Sequence, residues 1–566
     1  MKIFFKKITS LQGRRPWQSI IIFFIFIIAF LLRIFGLNWD DNNHLHPDER
    51  FLTMVVTDIK LPSSISNYFD SETSPLNPYN YSQYQFFVYG TFPLFLVKTL
   101  AVFLHLDNYN QIALLGRVLS ALFDSANIIL LYFIARKLFK NFYIYLPSIF
   151  YSLLVLPLQL SHFFTVDTFL TFFLLLTFTL CAYDLFFLAF FAFGLALACK
   201  ISALYFLPII LLLIVYQKKK LSLILVSSFW FLVSALSFRL FQPYAFIDFI
   251  TPNPDFINSL KTLTTYSGAD IYYPPGVQWI NRLPLLNSVT NIFLWGLGLP
   301  LATLIILEII IFLKKPKFKF NLIFILCSWI LLLYLFQGSQ FSHSMRYFLP
   351  IYPFLSIISL YPFIYFKVSF KLVLITILFT FLSALAFLSI YSRPHSRVQA
   401  TQWINNNISV DKILSSEYWD DSLPLGYSSF KSITLPLFDP DTEDKWSNIN
   451  QNLNQIDCLI MSSNRLWASI PRVPEKYPVS SLFYKNLFAE NLNFSKIKEF
   501  NSYPGFSLSF LKSCYYFGPT NYPGVNNTWF SVDKNCSYPG LYFRDDTAEE
   551  AFTVYDHPKV LIFQKK

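Results

Sequence analysis

From Ile20 to about Ile390 the chain alternates long apolar runs with short polar breaks; after Arg393 the apolar residues come in pieces of a few, separated by Pro, Asn, Ser and Gly. Apolar runs of roughly 17–25 residues have the length that carries an α-helix across a ~30 Å hydrocarbon core. Marking them predicts spans at 18–36, 113–135, 142–158, 168–184, 185–199, 202–216, 222–241, 289–313, 320–337, 348–366 and 372–391. The pattern therefore predicts a polytopic α-helical membrane protein of about eleven transmembrane helices over 1–391. A soluble α/β domain of short strands follows over 392–566. The stretch Gln85–Leu106 is apolar enough to cross but is interrupted by Gly90, Pro93 and Lys98, which predicts a re-entrant or interfacial helix within an outer loop spanning 37–112.

Composition agrees with this division. The chain is 54% hydrophobic and 20% aromatic, and only 14% charged, against about a quarter charged in soluble domains. Its net charge of +11 sits mostly in short Lys/Arg tracts between the spans. The positive-inside rule accounts for those tracts, so no nucleic acid partner is expected. Lys2, Lys6, Lys7, Arg14 and Arg15 assign the amino terminus to the cytoplasm. Arg136, Lys137 and Lys140, then Lys218 to Lys220, Lys314 to Lys319, and Lys367 with Lys371 fall on the same side. Counting 85–106 as a crossing would set most of these clusters on the wrong side. With it excluded, the carboxyl-terminal domain is extracytoplasmic and the protein a multi-pass plasma-membrane protein. The first apolar run lacks a small-residue cleavage site and reads as a retained anchor. Cys181, Cys199 and Cys327 lie in apolar segments, whereas Cys458, Cys514 and Cys536 lie in the tail, where one disulfide could form outside the cell. Three glycosylation-type triplets, at Asn493, Asn526 and Asn535, are near chance in so Asn-rich a tail.

The polar outliers then sort to one face. Asp48 and Glu49 stand in "HLHPDERF" in the first outer loop, with Arg50 beside them; Asp167 stands at the next outer turn, Lys200 at the third, and Arg346 near the fifth. Charges near an apolar zone are costly unless paired or wetted, so their convergence marks a candidate site. Each also has an ordinary reading: Pro47 followed by two acids is normal helix-start chemistry, Asp167 or Thr165 could cap a helix, and Lys200 and Arg346 could reach to the interface. Two short spans meeting at Lys200 predict a cavity dipping in from the outer face. Asp124 and Asp184 are assigned to packing or the inner face. His44, His46 and His343 are too loosely spaced for a metal cluster. Trp419, Asp420 and Asp421 could bind a sugar, although a structural turn is the stronger expectation.

The blocks "GRVLSALFDSANIILLYFIARKLF", "SHFFTVDTFLTFF", "GLALACKISALYFLP" and "RYFLPIYPFL", following an acidic pair after one span, resemble the GT-C superfamily of membrane glycosyltransferases. Within it the resemblance is to glycosyltransferase family 39, the protein O-mannosyltransferase and aminoarabinose-transferase type. "HPDERF", "NRLPLLNSVTNIFLWGLGLPL", "RVQATQWINNNI", "EYWDDSLPL" and "EEAFTVYDHPKVLIF" resemble the YYY-type membrane glycosyltransferases, with only Tyr272 and Tyr273 at the tyrosine run. The resemblance implies a sugar transferred from a polyprenyl-phosphate donor to an acceptor hydroxyl, with inversion. It implies Asp48 as catalytic base, Glu49 as its catalytic partner, and Lys200, Arg346, Asp167 and Arg50 as substrate-binding residues. The acceptor, whether glycan, lipid or protein, and assistance by a divalent cation stay open; no other cofactor is implied. A secondary transporter or lipid flippase is the first alternative, disfavoured by the absence of a visible repeat. A catalytically silent, glycan-binding relative is the second.

Overall fold

The structure is a computed structural model of the chain, describing residues 16–217, 223–266, 268, 270, 272–314, 321–508, 513–518, 530–533, 540–545 and 548–566. It is largely helical, with a mixed β-sheet domain at the carboxyl end. The principal helices of the first part are α1 (Pro16–Arg33), α2 (Pro47–Asp58), α3 (Thr91–Phe103), α4 (Tyr109–Leu138), α5 (Val166–Ala182), α6 (Phe186–Cys199), α7 (Leu207–Gln217), α8 (Leu223–Phe241), α9 (Leu299–Lys314), α10 (Leu322–Gly338), α11 (Tyr352–Ile358) and α12 (Phe370–Leu388). Three helical stretches among the described residues, Tyr109–Leu138, Met345–Tyr365 and Phe370–Asn407, are long and apolar enough to cross a membrane, and shorter apolar helices pack beside them.

The apolar runs became helices, but several are broken where the sequence carries Pro or Gly. The run at 142–158 divides into Leu146–Ser152 and Val155–Ser161, with extended backbone at Leu154. The run at 289–313 begins as a π-turn, Asn291–Leu297, and restarts as α9 after Gly298, whose φ of +80° suits a residue without a Cβ. The run at 348–366 opens as a 3₁₀ turn, Met345–Ile351, around Pro350. In 85–106 the helical part is only α3, 13 residues, about 20 Å at the α-helical rise and short of a ~30 Å core. Its Lys98 is buried against Asp107 at 2.7 Å.

The carboxyl-terminal part opens with α13 (Ser396–Asn407) and holds β1 (Ile413–Glu417), β2 (Lys431–Leu435), β3 (Cys458–Met461), β4 (Phe494–Phe500), β5 (Gly505–Leu508), β6 (Ser513–Gly518), β7 (Phe530–Asp533), β8 (Gly540–Arg544) and β9 (Val560–Lys565). One five-stranded sheet has the order β2-β1-β3-β9-β4, and a four-stranded sheet the order β5-β6-β8-β7. β1 runs parallel to β2 and β3, while β9 is antiparallel to β3 and β4. β3 and β9 are buried on both faces, which is why "CLIM" and "VLIF" read as unbroken apolar runs rather than alternating ones. Cys458 is buried and free; the side chains of Cys514 and Cys536 lie outside the described residues.

β9 is an interior strand of its sheet, and the segment before it, Glu549–Pro558, crosses the helical part. Gln159 Nε2 donates to the Ala551 carbonyl and to Asp556, both at 2.9 Å. The Glu549 and Glu550 amides donate to Asn291 and Gln278 at 3.0 and 2.9 Å. The His395 amide donates to the Trp39 carbonyl at 2.9 Å.

One contact of the loop 37–112 needs glycine. The Gly90 amide donates to the Cys199 carbonyl at 3.0 Å, and a Cβ there would stand 2.1 Å from the Ala198 carbonyl oxygen. Gly90→Ala is expected to force the loop off the end of α6 and lower stability by about 1–3 kcal/mol. The thermal midpoint of the purified protein would register this as a clear fall, and an unchanged midpoint would refute the contact.

Candidate active site

The stretch from His44 folds as the sequence dictates. Pro47 fixes the first turn of α2, and His46 caps it, its Nδ1 accepting from the amides of Asp48 and Glu49 at 3.2 and 3.4 Å. To accept there, the ring must be neutral. Burial keeps it so, pushing the His46 imidazole down to about 4. The ring packs between Phe163, at 4.5 Å, and Tyr555 of the carboxyl-terminal segment, at 4.3 Å.

Neighbouring helix residues point about 100° apart, so Asp48 and Glu49 face different surroundings. Glu49 is fully buried. It receives Arg117 Nη2 at 2.7 Å and Nε at 2.8 Å, and the Phe164 amide at 2.8 Å. Arg117, from α4, also donates to Asp40 at 2.7 and 2.9 Å and to the Leu37 carbonyl at 2.7 Å, and lies over the Trp39 ring. No donor of that guanidinium is left over, and the start of α2 is bolted to α4.

Asp48 points the other way, into a group of charges that keeps some solvent contact. It pairs with Arg346, and the Tyr89 hydroxyl hydrogen-bonds to it. Its side chain is 19% exposed and that of Arg346 15%. Burial would push the Asp48 carboxyl up, but Arg346 first, and Lys200 after it, more than offset this and hold it below the ordinary carboxylate range. Lys200, at the break after α6, reaches Asp167 in the first turn of α5 at 2.9 Å, with Lys200 24% exposed. The ring of Tyr347 serves both cations: Lys200 lies 4.6 Å and Arg346 5.3 Å from its centroid. Asp48, Asp167, Lys200 and Arg346 therefore come from four elements into one cluster.

Arg50 points out of it, pairing with Asp421 at 2.8 Å; Arg397 of α13 holds the second Asp421 oxygen at 2.6 Å and pairs with Asp420 as well. The Trp419–Asp421 turn thus ties the two parts of the chain together. Asp124 is packing, buried against Arg33 at 2.6 Å and Tyr151 at 2.6 Å. Sequence reasoning gave no role to Arg117, Tyr89, Tyr347, Glu549 or Tyr555. Arg117, a basic residue in the apolar stretch of α4, carried the signal that could have found it. Glu549 accepts the Met345 amide beside Arg346, and burial pushes its carboxyl up to about 7.

Among the described residues no three His, Cys, Asp or Glu side chains gather to hold a metal ion. Asp48 and Asp167 are each paired with a side-chain cation in this structure.

No family model matches the chain, and no curated protein sequence is similar to it. Solved structures of related architecture include the oligosaccharyltransferase of Archaeoglobus fulgidus in complex with Zn and sulfate, 14% identical over 81% of this chain and 70% of that one, TM-score 0.46. The archaeal oligosaccharyltransferase AglB from the same organism, with an inhibitory peptide and a dolichol-phosphate, is 13% identical over 82% and 72%, TM-score 0.46. ArnT from Cupriavidus metallidurans bound to undecaprenyl phosphate is 13% identical over 81% and 95%, TM-score 0.42. At scores this low the chemistry has to be read from this chain's own residues.

Two outcomes follow. Arg117→Leu leaves Asp40 and Glu49 as uncompensated buried carboxylates and is expected to cost about 3–5 kcal/mol, read as a lowered thermal midpoint. Arg117→Lys keeps the charge without the fork and should fall between. The buried imidazoles of His46, near 4, and His395, near 3, lie below the unfolded value of 6.5. Their contribution is complete above pH ~6.5 and is lost as pH falls toward 4, by roughly 1 kcal/mol per pH unit for each. Melting curves between pH 7 and 4.5 test this; His46→Asn, which can still cap, should flatten the slope.

Proposed function

We propose that the chain transfers a sugar from a polyprenyl-phosphate donor to an acceptor hydroxyl on the outer side of the membrane, with inversion at the anomeric carbon. This reading takes the helical part as eleven crossings, 1–391, with residues 392–566 extracytoplasmic. The observation that carries it is the pairing of Asp48 with Arg346 and of a buried Asp167 with a partly exposed Lys200 across one tyrosine ring, beside long apolar helices. Such a cluster offers both halves of a group transfer: a carboxylate able to take a proton, and cations able to receive a departing phosphate.

In the resting protein each charge satisfies another. A donor phosphate competes for Arg346 and Lys200. As Arg346 turns toward it, Asp48 loses the main influence that lowers its affinity for a proton, while its burial remains. The carboxylate thus becomes a better base when donor is bound. It takes the acceptor's hydroxyl proton, the acceptor oxygen bonds to the anomeric carbon from the far face, and the bond from that carbon to the phosphate oxygen breaks. The negative charge gathered on the phosphate meets fixed cations, which stabilise the transition state more than the bound substrate. Asp167 holds Lys200 in place. Glu49 is a positioning residue acting through Arg117, and Arg50 anchors the carboxyl-terminal part through Asp421.

Asp48→Asn is expected to lower kcat by about 10²–10⁴ with donor binding retained. Arg346→Gln and Lys200→Met should each lower kcat by about 10²–10³. Transfer from a purified lipid donor is the assay, with a melting curve as the folding control. Near-normal turnover by folded Asp48→Asn would remove the mechanism.

A further inference from the structure

Outside the charged cluster, aromatic rings form a line that the packing of the core does not require. Tyr266, at the end of the helix Pro254–Thr265, stacks on Tyr273 at 4.9 Å and 23° between ring planes. Tyr273 meets the indole of Trp419 edge-on at 6.0 Å, and Tyr418 meets the same indole at 5.9 Å. Tyr266, Trp419 and Tyr418 are 37%, 43% and 50% exposed. Large apolar rings left open in a row, rather than singly, mark a binding surface.

Two points of this line adjoin other features. Midway along it, Tyr273 is close enough to Asp48 and Arg346 for their charges to act on its hydroxyl. At one end, Tyr266 and Phe86 form the apolar wall of an open cavity of about 440 Å³, and Gln85, Asp255, Asn258 and Thr262 supply its polar groups. That volume lies in the range of small-molecule sites, and a few polar groups around flat apolar walls fit a ligand that is itself apolar on its faces and hydroxylated at its edges.

The backbone at Trp419 points the same way. Its φ is +75°, a region bulky side chains rarely occupy, and the Arg465 guanidinium holds it there through the Trp419 carbonyl at 2.6 Å. The strained turn presents the indole to solvent beside Tyr273 instead of burying it.

We infer that the acceptor is a carbohydrate chain, laid along Tyr266, Tyr273 and Trp419 with its far end in the Phe86–Tyr266 cavity and its reacting hydroxyl delivered to Asp48. The ring faces of a sugar carry C–H groups that pack on aromatic planes, while its hydroxyls reach amides and carboxylates. A peptide acceptor fits less well, because the rings come from a helix end, a loop and a turn rather than from a sheet edge able to pair a peptide backbone. The role as acceptor rests on the proposed transferase reaction; the lane as a glycan-binding site does not.

The test is binding without turnover. The full-length protein in detergent is titrated with cello-, malto- and mannohexaose, and with a Ser/Thr-rich peptide, by tryptophan fluorescence and saturation-transfer NMR. At least one hexasaccharide is expected to bind the wild type. Trp419→Ala and Tyr266→Ala, checked for unchanged melting, should each weaken it about tenfold. Trp419→Phe should recover most of the loss, and the Tyr266 substitution should leave disaccharide binding unchanged. No hexasaccharide binding, binding indifferent to both alanine variants, or a peptide bound in place of sugar would overturn the lane. Glycan binding in a protein that transfers nothing would sink the transferase reading and keep the lane, whereas sugar transfer with no glycan binding would do the reverse.

Discussion

The guanidinium of Arg117 is the constraint on which the site depends. It is buried between Glu49 and Asp40, bonded to both carboxylates and to the Leu37 carbonyl. Buried ions are tolerated only when every donor and acceptor is met, and a partly satisfied group of this kind would be costly. The result is a single permitted position for the start of α2 against α4. Asp48 inherits that position: with Glu49 fastened on one side, the helix turns its neighbour toward Arg346 and the partly exposed cluster. The fixed position of Asp48, the proposed base, comes from a residue that never touches it.

The same logic joins the two parts of the chain. The last strand, β9, is an interior strand of its sheet, between β3 and β4, and the residues just before it cross the helical part on a short tether. Along that tether Glu549 accepts the Met345 amide beside Arg346, and Tyr555 packs on the ring that caps α2. Arg50, Asp421 and Arg397 add a second tie. The carboxyl-terminal domain is therefore part of what shapes the site, not an appendage to it.

Much of this was legible in the sequence because bilayer-length apolar runs and charge-bearing breaks are local signals. The convergence of Asp48, Asp167, Lys200 and Arg346 could be read from the order of charges along the chain, and the break at Lys200 from the short runs on either side. The sequence grouped Asp48 and Glu49 as one catalytic pair; adjacent helical residues do not share a face, and it is Arg117 that shows Glu49 to be the buried one. The internal breaks of the apolar runs lie close to Pro157, Gly298 and Pro350, whose effects were underweighted against hydrophobicity. The docking of Glu549 and Tyr555 had no local signal, because it depends on where β9 inserts in the sheet. The Trp419 turn was legible as a turn, while its salt bridges to Arg397 and its exposed indole required the fold.

On the proposed reading, the donor's phosphate parts the two ion pairs at the edge of the apolar helical domain. The most direct measurement is an experimental structure of the full-length protein with a polyprenyl phosphate bound. Phosphate oxygens within hydrogen-bond distance of Arg346 and Lys200, with Arg346 drawn away from Asp48, are the expected result. A phosphate seated elsewhere while both pairs stay closed would contradict it.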